Sequence, residues 1–221
     1  MNDSLTMPLD GWPRDEAKPE GCAVFIDKDG TLVEDVPYNV DPALIRFTPN
    51  ALEGLLLLAD AGYQLIVVTN QPGIAFNLFD RAALTRLEKA LGGLMADAGV
   101  PLGGFYACPH APFVAPAAGC LCRKPAPGLL RQAARAHNLA LDRCWMVGDI
   151  LDDVEAGQRA GCRTVLLDVG NETEWRMSPL RTPHHRAADL LKAAELILQS
   201  DGPCEHRVPR RPAAEPSVEM R

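Results

Sequence analysis

Asp27 and Asp29 stand two residues apart at the end of an apolar run, Cys22-Ala23-Val24-Phe25-Ile26, and Gly30 and Thr31 follow at once. A run of that kind reads as a buried strand. In an open α/β sheet, ligands bind at the carboxyl ends of the strands. Two carboxylates so close repel one another unless a cation lies between them. A divalent ion there serves phosphoryl transfer, because it joins an attacking oxygen to the oxygens of a phosphate. The stretch therefore points to a carboxylate nucleophile, a magnesium ion and a phosphorylated substrate.

Three further positions suit the same reaction. Thr69 and Asn70 end a second apolar run, Arg123 and Lys124 follow a cysteine-rich loop, and Asp149 and Asp153 follow a third run. A carboxylate that attacks phosphorus forms an aspartyl-phosphate and splits one difficult step into two. A hydroxyl, backbone amides and a lysine hold and neutralise the equatorial oxygens. A second carboxylate protonates the leaving oxygen and later takes a proton from water. Asp153 reads equally as an outer contact to the metal or as acidic charge in the first turn of a helix. Asp152 reads as solvated.

Cys108, His110, Cys120 and Cys122 supply three sulfurs and one imidazole, a set suited to tetrahedral zinc. Four protein ligands leave no open position, so such a site is structural. It would pin the loop that ends in Arg123 and Lys124. A disulfide among these cysteines is the alternative, and it fits a cytoplasmic chain poorly. Cys22, Cys144 and Cys162 lie at or beside aliphatic stretches and read as buried thiols. Cys204, in a polar tail, reads as structurally idle.

The elements that must position these groups follow from periodicity. Strands are predicted near 22–27, 63–69, 105–107, 144–149 and 163–168, with helices over 49–62, 80–98, 127–138, 152–161 and 185–199. Alternating strands and helices predict an α/β fold, a doubly wound parallel sheet. Between Asp29 and Thr69 there is room for one loop and one helix, so the cap over the site is minimal. The organisation expected is a polar N-terminal extension at 1–20, one domain at 21–199 with a metal loop at 108–124, and a disordered tail at 200–221.

The 221 residues carry a formal net charge of -7, which argues against a general nucleic-acid partner. Hydrophobic residues make up 47% and aromatics 5%, which predicts a mainly aliphatic core. No apolar segment is long enough to span a bilayer, and residues 1–20 lack the apolar centre of a secretory signal. The expectation is a cytoplasmic monomer acting on a small phosphorylated molecule.

Taken together, Asp27-Lys28-Asp29-Gly30-Thr31, Thr69-Asn70-Gln71, Lys124 and Gly148-Asp149 with Asp153 resemble, in order, the four motifs of the haloacid-dehalogenase superfamily of phosphatases. The Cys108-Pro109-His110 and Cys120-Leu121-Cys122-Arg123-Lys124-Pro125 segments, with Tyr38, are similar to the zinc-containing histidinol-phosphatase group, and within it to the heptose bisphosphate phosphatases. The resemblance implies Asp27 as nucleophile and Asp29 as acid and base. It implies Asp27, Asp29 (through its backbone) and Asp149 as magnesium ligands, with Thr69 and Lys124 steadying the phosphoryl group. It also implies substrate contacts from Asp35, Val36, Pro37, Tyr38, Asn70, Gln71, Pro72 and Arg123. The implied reaction removes the 7-phosphate of D-glycero-D-manno-heptose 1,7-bisphosphate, a sugar bisphosphate. Histidinol phosphate is the competing substrate, and a phospho-receiver signalling domain is the competing class. Two departures reduce positive charge: Pro72-Gly73-Ile74-Ala75-Phe76 lacks the arginine usual in that turn, and Ile150 stands where a lysine is common.

Overall fold

The computed structural model describes residues 20–112 and 119–204. Most of the expected N-terminal extension, the centre of the metal loop and the tail beyond 204 lie outside the described residues. The element order is β1 (Ala23–Ile26), α1 (Ala51–Asp60), β2 (Gln64–Asn70), α2 (Arg81–Asp97), β3 (Gly104–Cys108), α3 (Gly128–His137), β4 (Trp145–Gly148), α4 (Leu151–Ala160), β5 (Arg163–Leu167), β6 (His185–Ala187) and α5 (Leu190–Asp201).

The six strands form one sheet in the order β3-β2-β1-β4-β5-β6, and every neighbouring pair is parallel. The chain reverses its direction of winding between β1 and β4. A crevice opens at such a switch point beyond the strands' carboxyl ends.

β1 lies at the centre, which explains its unbroken apolar sequence. Val24 and Ile26 face one core with Leu55 of α1, Leu87 of α2 and Ile197 of α5. Ala23 and Phe25 face the other with Leu130 and Ala133 of α3. A strand covered on both faces has no solvent side and therefore no polar alternation. Its first polar side chain, Asp27, appears where the covering helices end.

Two features differ from the sequence expectations. Residues 185–187 form a sixth strand, and the closing helix begins only at Leu190. Three residues are too few for a period-two pattern to register. Cys204, expected to be idle, is disulfide-bonded to Cys22, which was expected to be a thiol. The Cys204 backbone N–H also donates to Ala61 O at 2.8 Å, so the ordered chain continues past the boundary expected at 199. A cross-link across 182 residues leaves no local spacing signal. It lies before β1, at the opposite end of that strand from Asp27.

Thiol titration of the denatured, unreduced protein should count five free cysteines of the seven. Reduction should lower stability by about 2–4 kcal/mol, or roughly 5–15 °C in Tm at this size. Seven free thiols and an unchanged melt would contradict the cross-link.

Candidate active site

The carboxyl ends of five adjacent strands each contribute to one site. Asp27 directly follows β1, and its backbone N–H donates to Val147 O of β4 at 3.0 Å. Lys28 N–H donates to Asp27 Oδ1 at 2.7 Å. Lys124 is 2% exposed. Its Nζ lies 2.7 Å from Asp27 Oδ1, lies 2.6 Å from Asp153 Oδ1 and donates to Val68 O at 3.0 Å. Burial alone would lower the pKa of Lys124, but Asp153 and Asp27 outweigh it and hold the ammonium charged.

Asp153 is fully buried in the first turn of α4. Its Oδ2 accepts the Ile150 N–H at 3.4 Å, a helix-capping contact. Its Oδ1 is close to Lys124 Nζ but receives no directed hydrogen bond. Charge pairing with the lysine and helix capping thus coexist in this residue. Asp152, expected to be solvated, is paired with Arg181 at 2.6 Å.

Asp149 is held at both oxygens. Thr31 Oγ1 donates to Oδ1 at 2.8 Å, and Asn171 Nδ2 donates to Oδ2 at 2.8 Å. Glu172 Oε2 accepts the Leu151 N–H at 2.8 Å, so the loop after β5 grips both Asp149 and the start of α4. Sequence reasoning missed Asn171 and Glu172; the one signal for them was the Gly170-Asn171 turn directly after β5. Gly30, at φ 79°, lies so close that a Cβ would collide with Asp149 and Asn171. A Cβ at Gly148 would collide with Asp153.

Asp29 contacts the Lys28 ammonium. Gln71 Nε2 donates to Asp29 Oδ2 at 2.9 Å and to Thr69 Oγ1 at 3.0 Å. Because Thr69 accepts that bond, its own proton is available to another oxygen. Burial raises the pKa of Asp29, against the pull of Lys28. A carboxyl raised in this way keeps a proton more readily, as a general acid must.

Asp27, Asp149 and Asp153 bring carboxylate oxygens within 4.8 Å of one another. Three acids around one ammonium leave an excess of negative charge, which fits a hard divalent cation.

At the end of β3, Cys108 Sγ is 3.5 Å from His110 Nδ1, 3.7 Å from Cys120 Sγ and 3.3 Å from Cys122 Sγ. His110 Nδ1 is 3.2 Å from Cys122 Sγ. A tetrahedron with arms of about 2.3 Å has edges of about 3.7 Å, so the four donors suit zinc. None of these cysteines is in a disulfide. Arg123 N–H donates to Cys120 Sγ at 3.3 Å, and Arg123 Nη1 donates to His110 O at 3.4 Å. Asn70 Nδ2 donates to Lys124 O at 3.1 Å, and its Oδ1 accepts the Lys124 N–H at 3.1 Å. Asn70 therefore spends both amide groups on holding Lys124.

Asp35, Pro37 and Tyr38 are exposed in the loop after β1, while Val36 and Pro72 are half-buried. Tyr38 adopts φ 55°, which costs a residue with a Cβ on the order of 1 kcal/mol. A small hollow lies beside Asp29, lined by Lys28, Glu34, Asn39, Leu44 and Leu87 among others.

Comparison with known proteins agrees with this geometry. The HAD-hydrolase-like family model matches residues 121–193. D-glycero-beta-D-manno-heptose-1,7-bisphosphate 7-phosphatase of Photorhabdus laumondii is 36% identical over 173 residues, 76% of this chain and 88% of the relative. The crystal structure of D,D-heptose 1,7-bisphosphate phosphatase from Bordetella bronchiseptica, complexed with magnesium and phosphate, superposes with TM-score 0.67 and 30% identity, covering 81% of this chain and 99% of that one. A HAD-like phosphatase from Mesorhizobium loti superposes with TM-score 0.68 and 34% identity, over 81% of this chain and 88% of its own.

Burial raises the pKa of Asp153 in the metal-free protein, opposed by Lys124, and burial also raises that of Asp149. Above about pH 4 the folded state then binds more protons than the unfolded state, so stability falls as pH rises until these acids have ionised. The Tm of the metal-free protein should drop from pH 6 to pH 8.5. Magnesium should raise the Tm more at pH 8.5 than at pH 6, and Asp153→Asn should flatten the slope. A magnesium shift independent of pH would refute this account.

Proposed function

The chain belongs to the HAD-like hydrolases, in the family of the heptose-1,7-bisphosphate 7-phosphatases, and on that premise we propose that it removes the 7-phosphate of D-glycero-D-manno-heptose 1,7-bisphosphate. The observation that carries this reading is the meeting of Asp27, Lys124, Asp149 and Asp153 within hydrogen-bonding or ligand distance, with Asp29 at the wall of an adjoining hollow.

Asp27 attacks phosphorus as the bond from phosphorus to the leaving oxygen breaks, and Asp29 gives its proton to that oxygen. Water then attacks the phosphorus of the aspartyl-phosphate and passes a proton to Asp29. The bond to Asp27 breaks, and inorganic phosphate departs. Lys124 and the Thr69 hydroxyl hold the equatorial oxygens throughout. Thr31 and Asn171 keep Asp149 turned toward Asp27. Asp27, Asp149 and the Asp29 backbone would hold magnesium, which supplies neutralisation of charge between carboxylate and phosphoryl oxygens.

Asp29 also separates this reading from a phospho-receiver, whose acyl phosphate persists for want of such an acid. Zinc at Cys108, His110, Cys120 and Cys122 has a structural role: it holds Arg123 and, through it, the entry to Lys124. No helix among the described residues is long and apolar enough to cross a membrane. We propose a cytoplasmic monomer; a reducing compartment would open the Cys22–Cys204 disulfide, which lies at the far end of β1 from the site, so activity does not depend on its redox state.

Phosphate release with magnesium should favour the heptose bisphosphate over histidinol phosphate in a substrate panel. Asp27→Asn should abolish turnover of every substrate. Asp29→Asn should lose about 10²–10⁴-fold in turnover of sugar phosphates; with acetyl phosphate, whose leaving group needs no proton, it should still form the aspartyl-phosphate but hydrolyse it slowly. An Asp27→Asn protein as active as its parent would end this reading.

Zinc removal by a thiol-competing chelator should release one zinc per chain and lower activity slowly. Magnesium removal should abolish activity at once and reversibly. Identical time courses would contradict separate roles.

A further inference from the structure

Phe76 has no part in the reaction derived above, yet it is held at the edge of the site. Its backbone N–H donates to Pro72 O at 3.0 Å, in the tight turn that directly follows Gln71. Gln71 itself touches Asp29. The Phe76 ring meets Tyr38 edge to face, with centroids 6.2 Å apart and planes at 79°. Tyr38 directly precedes Asn39, which lines the same hollow as Asp29. Two loops that follow β1 and β2 therefore join through two aromatic rings.

Those rings contribute little to the core: Tyr38 is 50% exposed and Phe76 45%. Tyr38 also keeps a left-handed backbone that a bulky residue ordinarily avoids. Strain retained at an exposed residue beside a reaction centre points to binding rather than packing.

Charge on the same two loops narrows the ligand. Residues 34–40 and 71–79 include Glu34 and Asp35 and no lysine or arginine. Lys28, on the wall of the hollow, is paired with Asp29. Arg123 and Lys124 arrive on a different segment, after β3. An exposed ring face flanked by carboxylates repels a phosphate. It suits the C–H face of a sugar ring, with ring hydroxyls donating to acids at its edge.

Deepening the sugar-phosphatase reading on which it rests, we propose that Tyr38 and Phe76 form a stacking subsite for the ring of the leaving sugar. The second phosphate of a bisphosphate gains nothing from these loops. Specificity then comes from the uncharged ring, and affinity for that ring is spent on orienting the scissile phosphate.

Two substrate pairs test this: glucose 6-phosphate against glucitol 6-phosphate, a ring against an open chain, and heptose 1,7-bisphosphate against heptose 7-phosphate. The parent should favour the ring about tenfold in kcat/KM, the scale of one well-placed apolar contact. It should treat the two heptose phosphates within about threefold. Phe76→Ala should erase the ring preference in kcat/KM, and Tyr38→Leu should reduce it. Phe76→Arg should shift preference toward the bisphosphate. An unaltered ring preference in Phe76→Ala protein with a parental melting curve overturns the subsite, as does a parent that prefers the bisphosphate more than tenfold. Should Phe76→Ala fail to fold, Tyr38→Leu decides the same question. Turnover of the hexose phosphates but not the heptose phosphates sinks the heptose assignment alone, and the ring-to-chain ratio still judges the subsite. Turnover of neither class overturns both.

Discussion

A buried ammonium between two carboxylates organises this molecule. Lys124 lies within 2.7 Å of Asp27 and 2.6 Å of Asp153, nearly sealed from water. Removing one partner of such a group leaves an uncompensated buried charge, at a cost of about 3–5 kcal/mol. The arrangement is therefore tight, and three chain segments far apart in sequence have to meet for it to exist. The same proximity steers Asp27 and sets a positive charge directly beside its carboxylate.

Much of the surrounding structure serves to hold that lysine and its counter-charges still. Asn70 binds its peptide on both sides. The cysteine and histidine cluster anchors the residue before it through two contacts from Arg123. On the far side, Asn171 and Thr31 occupy both oxygens of Asp149. Donors that fix a carboxylate before substrate arrives spare the reaction the cost of reorganising it. Gly30 and Gly148 allow these groups to approach, since a side chain at either would occupy the space of an acid.

The strands that carry chemistry were legible because burial on both faces leaves an unmistakable run of aliphatic residues, broken at the first polar group. β1, β2 and β4 lie within a residue or two of the periodicity-based expectation. The acids, the lysine and the four zinc-type donors were visible by type and spacing. The sixth strand was not, because His185, Arg186 and Ala187 make an edge strand too short to show a pattern. Nor was the Cys22–Cys204 bond, because the spacing of cysteines says nothing about which ones meet across a whole domain. Asn171 escaped because an asparagine after a glycine reads first as a turn residue.

From sequence alone come the fold class, the run of strand-end groups and their chemistry, since all of these depend on local pattern and residue type. The tertiary structure decided the partners: which acid Lys124 joins, which loop steadies Asp149, which two aromatic rings touch and which cysteines bond. Pairing is a matter of distances between segments separated by up to 182 residues. Such distances are set by how helices and strands pack, and no local spacing encodes them.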